Sequence, residues 1–146
     1  MTIDEVHAFF AALAGSDWAA IEDRLHEDVV FEFPGRRFGG RHQGRRRVMV
    51  FLRQNQRLFE GALEFTIRWA GVSGDRAVAQ WTNAGRTKTG IDYANRGVTV
   101  FRAGADGRIV EIQDYLDTER LSETWPDRRG ELPERTPSPD GPDPRG

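Results

Sequence analysis

The sequence predicts an α+β fold, a layer of helices lying on a curved and mainly antiparallel sheet. Three observations carry that expectation. Up to about Glu60, apolar side chains recur at helical spacing in three stretches, broken by one short β-branched and aromatic run. From Leu63 onward the pattern changes to alternation in four stretches, separated by glycine-containing turns. Helices first and strands afterwards is the order of segregated layers rather than of alternating β-α units.

Taken in order, Thr2-Ile3-Asp4-Glu5 has capping-box spacing, and Val6, Phe9, Phe10 and Leu13 share one face behind it. Residues 3–14 are therefore expected as a helix ended by Gly15. Ser16 or Asp17 caps a second helix over 17–26, with Trp18, Ile21 and Leu25 on its buried side. Val29 to Phe33 is a short strand stopped by Pro34-Gly35. Residues 34–44 hold five glycines or prolines and four arginines or histidines, and are expected as a loop. A third helix follows from Arg45 to Glu60, with Val48, Phe51, Leu52, Leu58 and Phe59 facing inward and Asn55 on the same stripe. The strands are then expected at Leu63–Trp69, Ala77–Asn83, residues 91–102 and Ile109–Leu116. Asp117-Thr118 caps a short closing helix.

A chain of 146 residues suits one domain with a single core. Its hydrophobic content of 38% and mean hydropathy of -0.63 are low, but much of the deficit lies at the C-terminus. Six of the seven prolines fall within 126–146, among charged residues and glycine. One folded domain over 1–125 and a disordered, Pro- and charge-rich tail over 126–146 are expected. The net charge of -2 gives no general attraction to nucleic acid or to anionic membranes. With no cysteine there is no disulfide framework, no thiolate nucleophile and no cysteine-ligated metal. His7, His26 and His42 have no metal-ligand spacing, so no metal and no cofactor is expected. No apolar run is long enough to span a bilayer, and the expectation is a soluble cytoplasmic protein.

The most informative stretch is Asp106 to Leu121. Read with a period of two, Asp114 falls on the face that carries Val110, Ile112 and Leu116. A carboxylate on an apolar strand face is costly unless it is paired, protonated or used. Its bland reading is a structural acid held by an arginine or by backbone N–H groups.

This stretch, D-G-R-I-V-E-I-Q-D-Y-L-D-T at 106–118, resembles the nuclear transport factor 2-like superfamily in its SnoaL-like branch, related to polyketide cyclases and ketosteroid isomerases. Y-A-N-R-G-V-T-V-F-R at 93–102, the run from Asp17 to Gly35 and G-R-H-Q-G-R at 40–45 share the resemblance. It implies a cone-like curved sheet, mixed or antiparallel, wrapped by three N-terminal helices around an apolar cavity. It also implies a homodimer formed through the sheet. Asp114 matches the position where the epoxide hydrolases and cyclases of this superfamily carry a catalytic aspartate. The Asp-Arg-Asp set of the epoxide hydrolases does not carry over, because Gln80-Trp81-Thr82-Asn83 supplies no charge where two are needed. Nor does the steroid isomerase base, since the loop from Phe33 to Gly40 contains no carboxylate.

The expected activity is therefore cofactor-independent general acid–base chemistry, of cyclase or isomerase type, on a hydrophobic ring-containing small molecule. Asp114 is the expected proton-transfer group. Trp81 and Asn83 share a strand face with the small residues Ala77 and Ala79, and with Asn55 and Tyr93 they are the candidates for orienting substrate oxygens. Trp18, Phe33 and Phe51 are candidates for an aromatic wall, although plain core packing accounts for them equally well. The alternatives are a non-catalytic pocket for a hydrophobic ligand, an epoxide hydrolase-like enzyme with an altered catalytic set, and a dimerising domain with a filled interior.

Overall fold

The computed structural model describes residues 1–124; the tail expected over 126–146 lies outside them. Helix α1 (Ile3–Ala14) starts from the capping box: Glu5 N–H donates to Thr2 Oγ1 (3.1 Å) and Thr2 N–H to Glu5 Oε2 (2.7 Å). Helix α2 (Trp18–Arg24) is capped by Asp17, whose Oδ1 accepts from Ala20 N–H, and it is shorter than its sequence pattern suggests. The chain becomes extended at Leu25, so strand β1 (Leu25–Phe33) is longer than expected and buries both Leu25 and Val29 completely. Within the expected loop, Gly40–Gln43 forms a short strand β2 that pairs antiparallel with the end of β1. Composition pointed to a loop here because glycine and arginine are poor strand formers; pairing with β1 overrides that weak preference.

Helix α3 (Arg45–Gln56) ends four residues before the expected Glu60. The buried Gln56 explains the stop: its Oε1 accepts from Leu63 N–H (3.2 Å), tying the helix end to the chain that turns away at Gly61. Strands β3 (Glu64–Ser73), β4 (Arg76–Arg86), β5 (Asp92–Ala103) and β6 (Ile109–Leu116) follow, and helix α4 (Thr118–Thr124) closes the described chain. Asp117 Oδ1 accepts from Arg120 N–H, as an N-cap does.

The six strands form one sheet in the order β2-β1-β6-β5-β4-β3. All neighbours are antiparallel except β1 and β6, which run parallel, so the sheet is mixed. Helix α1 lies over β3 and β4 and helix α3 over β1, and the sheet curves around them. Phe101, fully buried on β5, is met edge-on by Phe9 and Phe10 of α1 (5.2 and 6.1 Å between ring centres). A second cluster of Phe59, Leu63, Tyr93 and Leu121 forms apart from this core, and Phe33, Phe65 and Leu116 pack against both.

One strand breaks its expected alternation. A bulge between Ile67 and Trp69 shifts the β3 register, and Trp69 ends up 57% exposed instead of inside. Its indole lies over Gly71, where a Cβ would stand 2.7 Å from the ring. Among the described residues, no helix is long and apolar enough to cross a membrane.

Phe101→Ala would remove the ring on which α1 packs. A loss of roughly 3–5 kcal/mol of unfolding free energy is expected, read as a lower midpoint in urea denaturation.

Candidate active site

The sheet's concave face positions the site by strand pairing alone. On β4, Ala77, Ala79, Trp81 and Asn83 alternate inward and all are buried. Their partners on β5 are Phe101, Thr99, Gly97 and Asn95, and Thr99 in turn stands opposite Asp114 of β6. Trp81, Asn83, Thr99 and Asp114 thus share one face across three adjacent strands.

These residues line a cavity of about 110 Å³ between the sheet and the helices. A single water needs roughly 10–15 Å³ of such space, so the cavity holds a small ligand or several waters. Eight phenylalanines, Trp81 and Tyr93 line it, and among the described residues no lysine, arginine or histidine does. Among the described residues Asp114 is the only carboxylate in the wall. Its Oδ1 accepts a hydrogen bond of 2.6 Å from the Thr99 hydroxyl, and Thr99 Oγ1 accepts one of 2.9 Å from the Trp81 indole N–H. Among the described residues no cation pairs with Asp114, and Oδ2 accepts no hydrogen bond. Burial, only partly offset by the Thr99 hydrogen bond, pushes its carboxyl up to about 7. Among the described residues no arginine takes the partner role of the bland reading.

Asn83 is buried, and its Oδ1 has no hydrogen-bond partner. A buried amide oxygen without a donor is costly, and the side chain that carries it belongs to a residue lining the cavity. Tyr93 is buried in the wall too, where its hydroxyl accepts from Asn95 Nδ2 (2.9 Å), and burial pushes the phenol up to about 12. Asn55 is half-buried and reaches the cavity from α3, as do Phe33 from β1 and Phe51 from α3. The structure therefore brings Asp114, Trp81, Asn83, Asn55, Tyr93, Phe33 and Phe51 to one cavity.

Three expectations need correction. Trp18 does not line the cavity: it packs half-buried at the start of α2, with the Arg53 guanidinium 5.7 Å from its ring. Its helical spacing put it correctly against the core, but the short α2 packs on α1, α3 and β1 without reaching the cavity. Trp81 lines the cavity but has no donor to offer a ligand, because its one N–H is committed to Thr99. His42, expected in a solvated loop, sits on β2 stacked 4.0 Å from Phe51, and burial pulls its imidazole down.

Thr99 was missed from sequence. A signal existed: counting outward from Asp106-Gly107 as the turn centre places Thr99 opposite Asp114; beside the turn the pairing runs one residue off that count (Ala103 opposite Ile109), and the bulge between Arg102 and Ala103 restores it. Gln56 gave no such signal, since its partner Leu63 depends on how the chain turns after α3. Among the described residues there is no cluster of three metal-ligating side chains.

This fold and cavity define a class. The SnoaL-like domain profile matches residues 6–112, and the chain belongs to that family, within the nuclear transport factor 2-like superfamily. Solved structures agree. A proposed polyketide cyclase from Pseudomonas putida KT2440 is similar over 82% of this chain and 93% of its own, at 23% identity and a TM-score of 0.71. An LEH-like epoxide hydrolase from M. tuberculosis is similar over 84% of this chain and 86% of its own, at 28% identity and a TM-score of 0.69. Bal32a, from a soil-derived mobile gene cassette, covers 84% and 94% at 21% identity and a TM-score of 0.76. No curated protein matches the chain significantly.

The raised Asp114 carboxyl has a cost in stability with a definite sign. Between the ordinary value of 3.8 and about 7, the folded protein holds a proton that the unfolded chain has released. Stability therefore falls as pH rises through that window, by an amount on the order of a few kcal/mol. Asp114→Asn removes the term. The variant is expected to melt above the wild type at pH 8, with the gap closing by pH 4, as measured by calorimetry across pH.

Proposed function

We propose that the protein is a cofactor-independent general acid–base enzyme, of cyclase or isomerase type, acting on a hydrophobic ring-containing small molecule in this cavity. The observation that carries the reading is the carboxyl of Asp114 in an aromatic wall, where it is the single carboxylate and meets no cation among the described residues. A carboxyl that titrates near neutrality is matched to take a proton and to give it back. As carboxylate it removes a proton from the substrate; as the resulting acid it returns that proton to another atom. The enzyme is then restored with no net change and no cofactor.

The remaining wall suits such a substrate. The aromatic faces accept a ring, while Asn83, Asn55 and Tyr93 supply polar contacts for its oxygens. With no cationic side chain in the wall among the described residues, a ligand carboxylate or phosphate would meet Asp114 without a counter-charge. The substrate is therefore uncharged where it is enclosed. The family and the two neighbours described as a cyclase and an epoxide hydrolase support small-molecule chemistry here. Epoxide opening by an Asp-Arg-Asp set finds no support, because β4 brings Trp81 and Asn83 inward and no arginine.

The same family reading carries a homodimer formed through the outer sheet face, where Trp69 and Tyr115 are 57% and 55% exposed.

Asp114→Asn and Asp114→Ala are expected to lower turnover by at least about 100-fold with an unchanged circular dichroism spectrum. A folded, fully active variant would overturn the assignment. Where the base form limits the rate, kcat/KM is expected to rise with pH and level off above about 7, the carboxyl's own titration point.

A further inference from the structure

We propose that Thr99 is a positioning residue that fixes which oxygen of Asp114 exchanges a proton with the substrate, with Trp81 and Gly97 setting the direction of its hydroxyl. This rests on the acid–base reading above and goes beyond it.

The direction follows from counting hydrogens. An indole N–H can only donate, so in the 2.9 Å contact Thr99 Oγ1 is the acceptor. Thr99 has one hydroxyl hydrogen left to place, and the 2.6 Å contact to Asp114 Oδ1 takes it. Oδ1 is then an acceptor whether Asp114 is charged or neutral. When the carboxyl is protonated, its proton sits on Oδ2, the oxygen with no partner among the described residues. Without the indole donor, the Thr99 hydroxyl is free to turn round and accept from a protonated Oδ1. That arrangement would bind the proton to the wall instead of presenting it to the cavity.

The geometry depends on Gly97. It stands opposite Trp81 in the β4–β5 register, and the indole lies across the β5 backbone at that point. A Cβ on Gly97 would stand 2.7 Å from Trp81 Cζ2 and Cη2, and 2.6 Å from the carbonyl oxygen of Tyr115. Any larger residue pushes the indole off the strand and its N–H away from Thr99.

Few charged groups compete for control of Asp114. Tyr93, on β5, lines the same cavity and stays neutral, and Asp117 and Arg120 act on Tyr93. The elements packed around the cavity contribute Phe31 and Phe33 from β1, Phe9, Phe10 and Leu13 from α1, and Phe51, Leu52, Asn55 and Gln56 from α3. None of these carries a charge.

The test is a ¹³C NMR titration of the Asp114 side-chain carboxyl in the full chain, which needs no substrate. Thr99→Val is expected to move the titration upward by half a unit or more, because a hydrogen bond to the charged form is lost. Thr99→Ser is expected to titrate with the wild type. Trp81→Phe and Gly97→Ala are expected to shift it upward by less than Thr99→Val. Where a substrate is in hand, the pH limb of kcat/KM is expected to move with each variant's titration. Thr99→Val or Trp81→Phe titrating with the wild type would overturn the proposal. If Thr99→Val fails to fold, Trp81→Phe and Gly97→Ala decide alone. Failure of the acid–base reading shows differently, as an active Asp114→Asn variant, whatever the titrations give.

Discussion

A carboxyl enclosed by aromatic rings without a counter-charge is the constraint on which the rest of this structure turns. Desolvation disfavours its charged form, and one hydrogen bond from Thr99 only partly restores it. A buried arginine partner would have made Asp114 an ordinary structural ion, fully charged at neutral pH. Its absence leaves a group that changes charge in the range where proton transfer is useful. The cost is set against the apolar burial of the core that surrounds the cavity, Phe101, Ile112 and the α1 rings among it.

The sheet provides the precision. Cross-strand pairs lie within a few ångströms of each other by the geometry of pairing, so Thr99 reaches Asp114 without help from any loop. Trp81 arrives from the next strand and crosses a glycine to reach the same hydroxyl. Three side chains from three strands are thereby held on a rigid surface, while helices supply the apolar lid. Asn83, one step further along β4, keeps an unpaired oxygen on the cavity wall.

Much of this could be read from the residues, and the exceptions have particular causes. Period-two alternation placed Asp114 and Ile112 together and sent Tyr115 to the opposite face, where it is indeed exposed. The capping box, the α1 stripe and the Ala77-Ala79-Trp81-Asn83 face were legible because each depends on a few neighbouring residues. Trp69 was placed on the wrong face because a single unpaired residue in β3 reverses parity. The end of α3 was missed because Gln56 is held by Leu63, a contact invisible until the turn between them is formed. Trp18 was placed in the wall because an aromatic residue on a buried helix face looks the same whether it meets a cavity or solid core.

The sequence by itself determined the α+β order, the inward face of the last strand from Ile112 onward and the anomaly at Asp114, since these follow from short-range spacing and from the cost of burying charge; at the strand's start the bulge buries Ile109 in place of Val110. Only the tertiary structure decided what surrounds that carboxyl. The parallel β1–β6 pairing, the Thr99 hydroxyl on Asp114 and the indole lying over Gly97 all join residues from distant elements. Such juxtapositions leave no mark in local periodicity, because strand order and sheet curvature are set by the packing of the whole core.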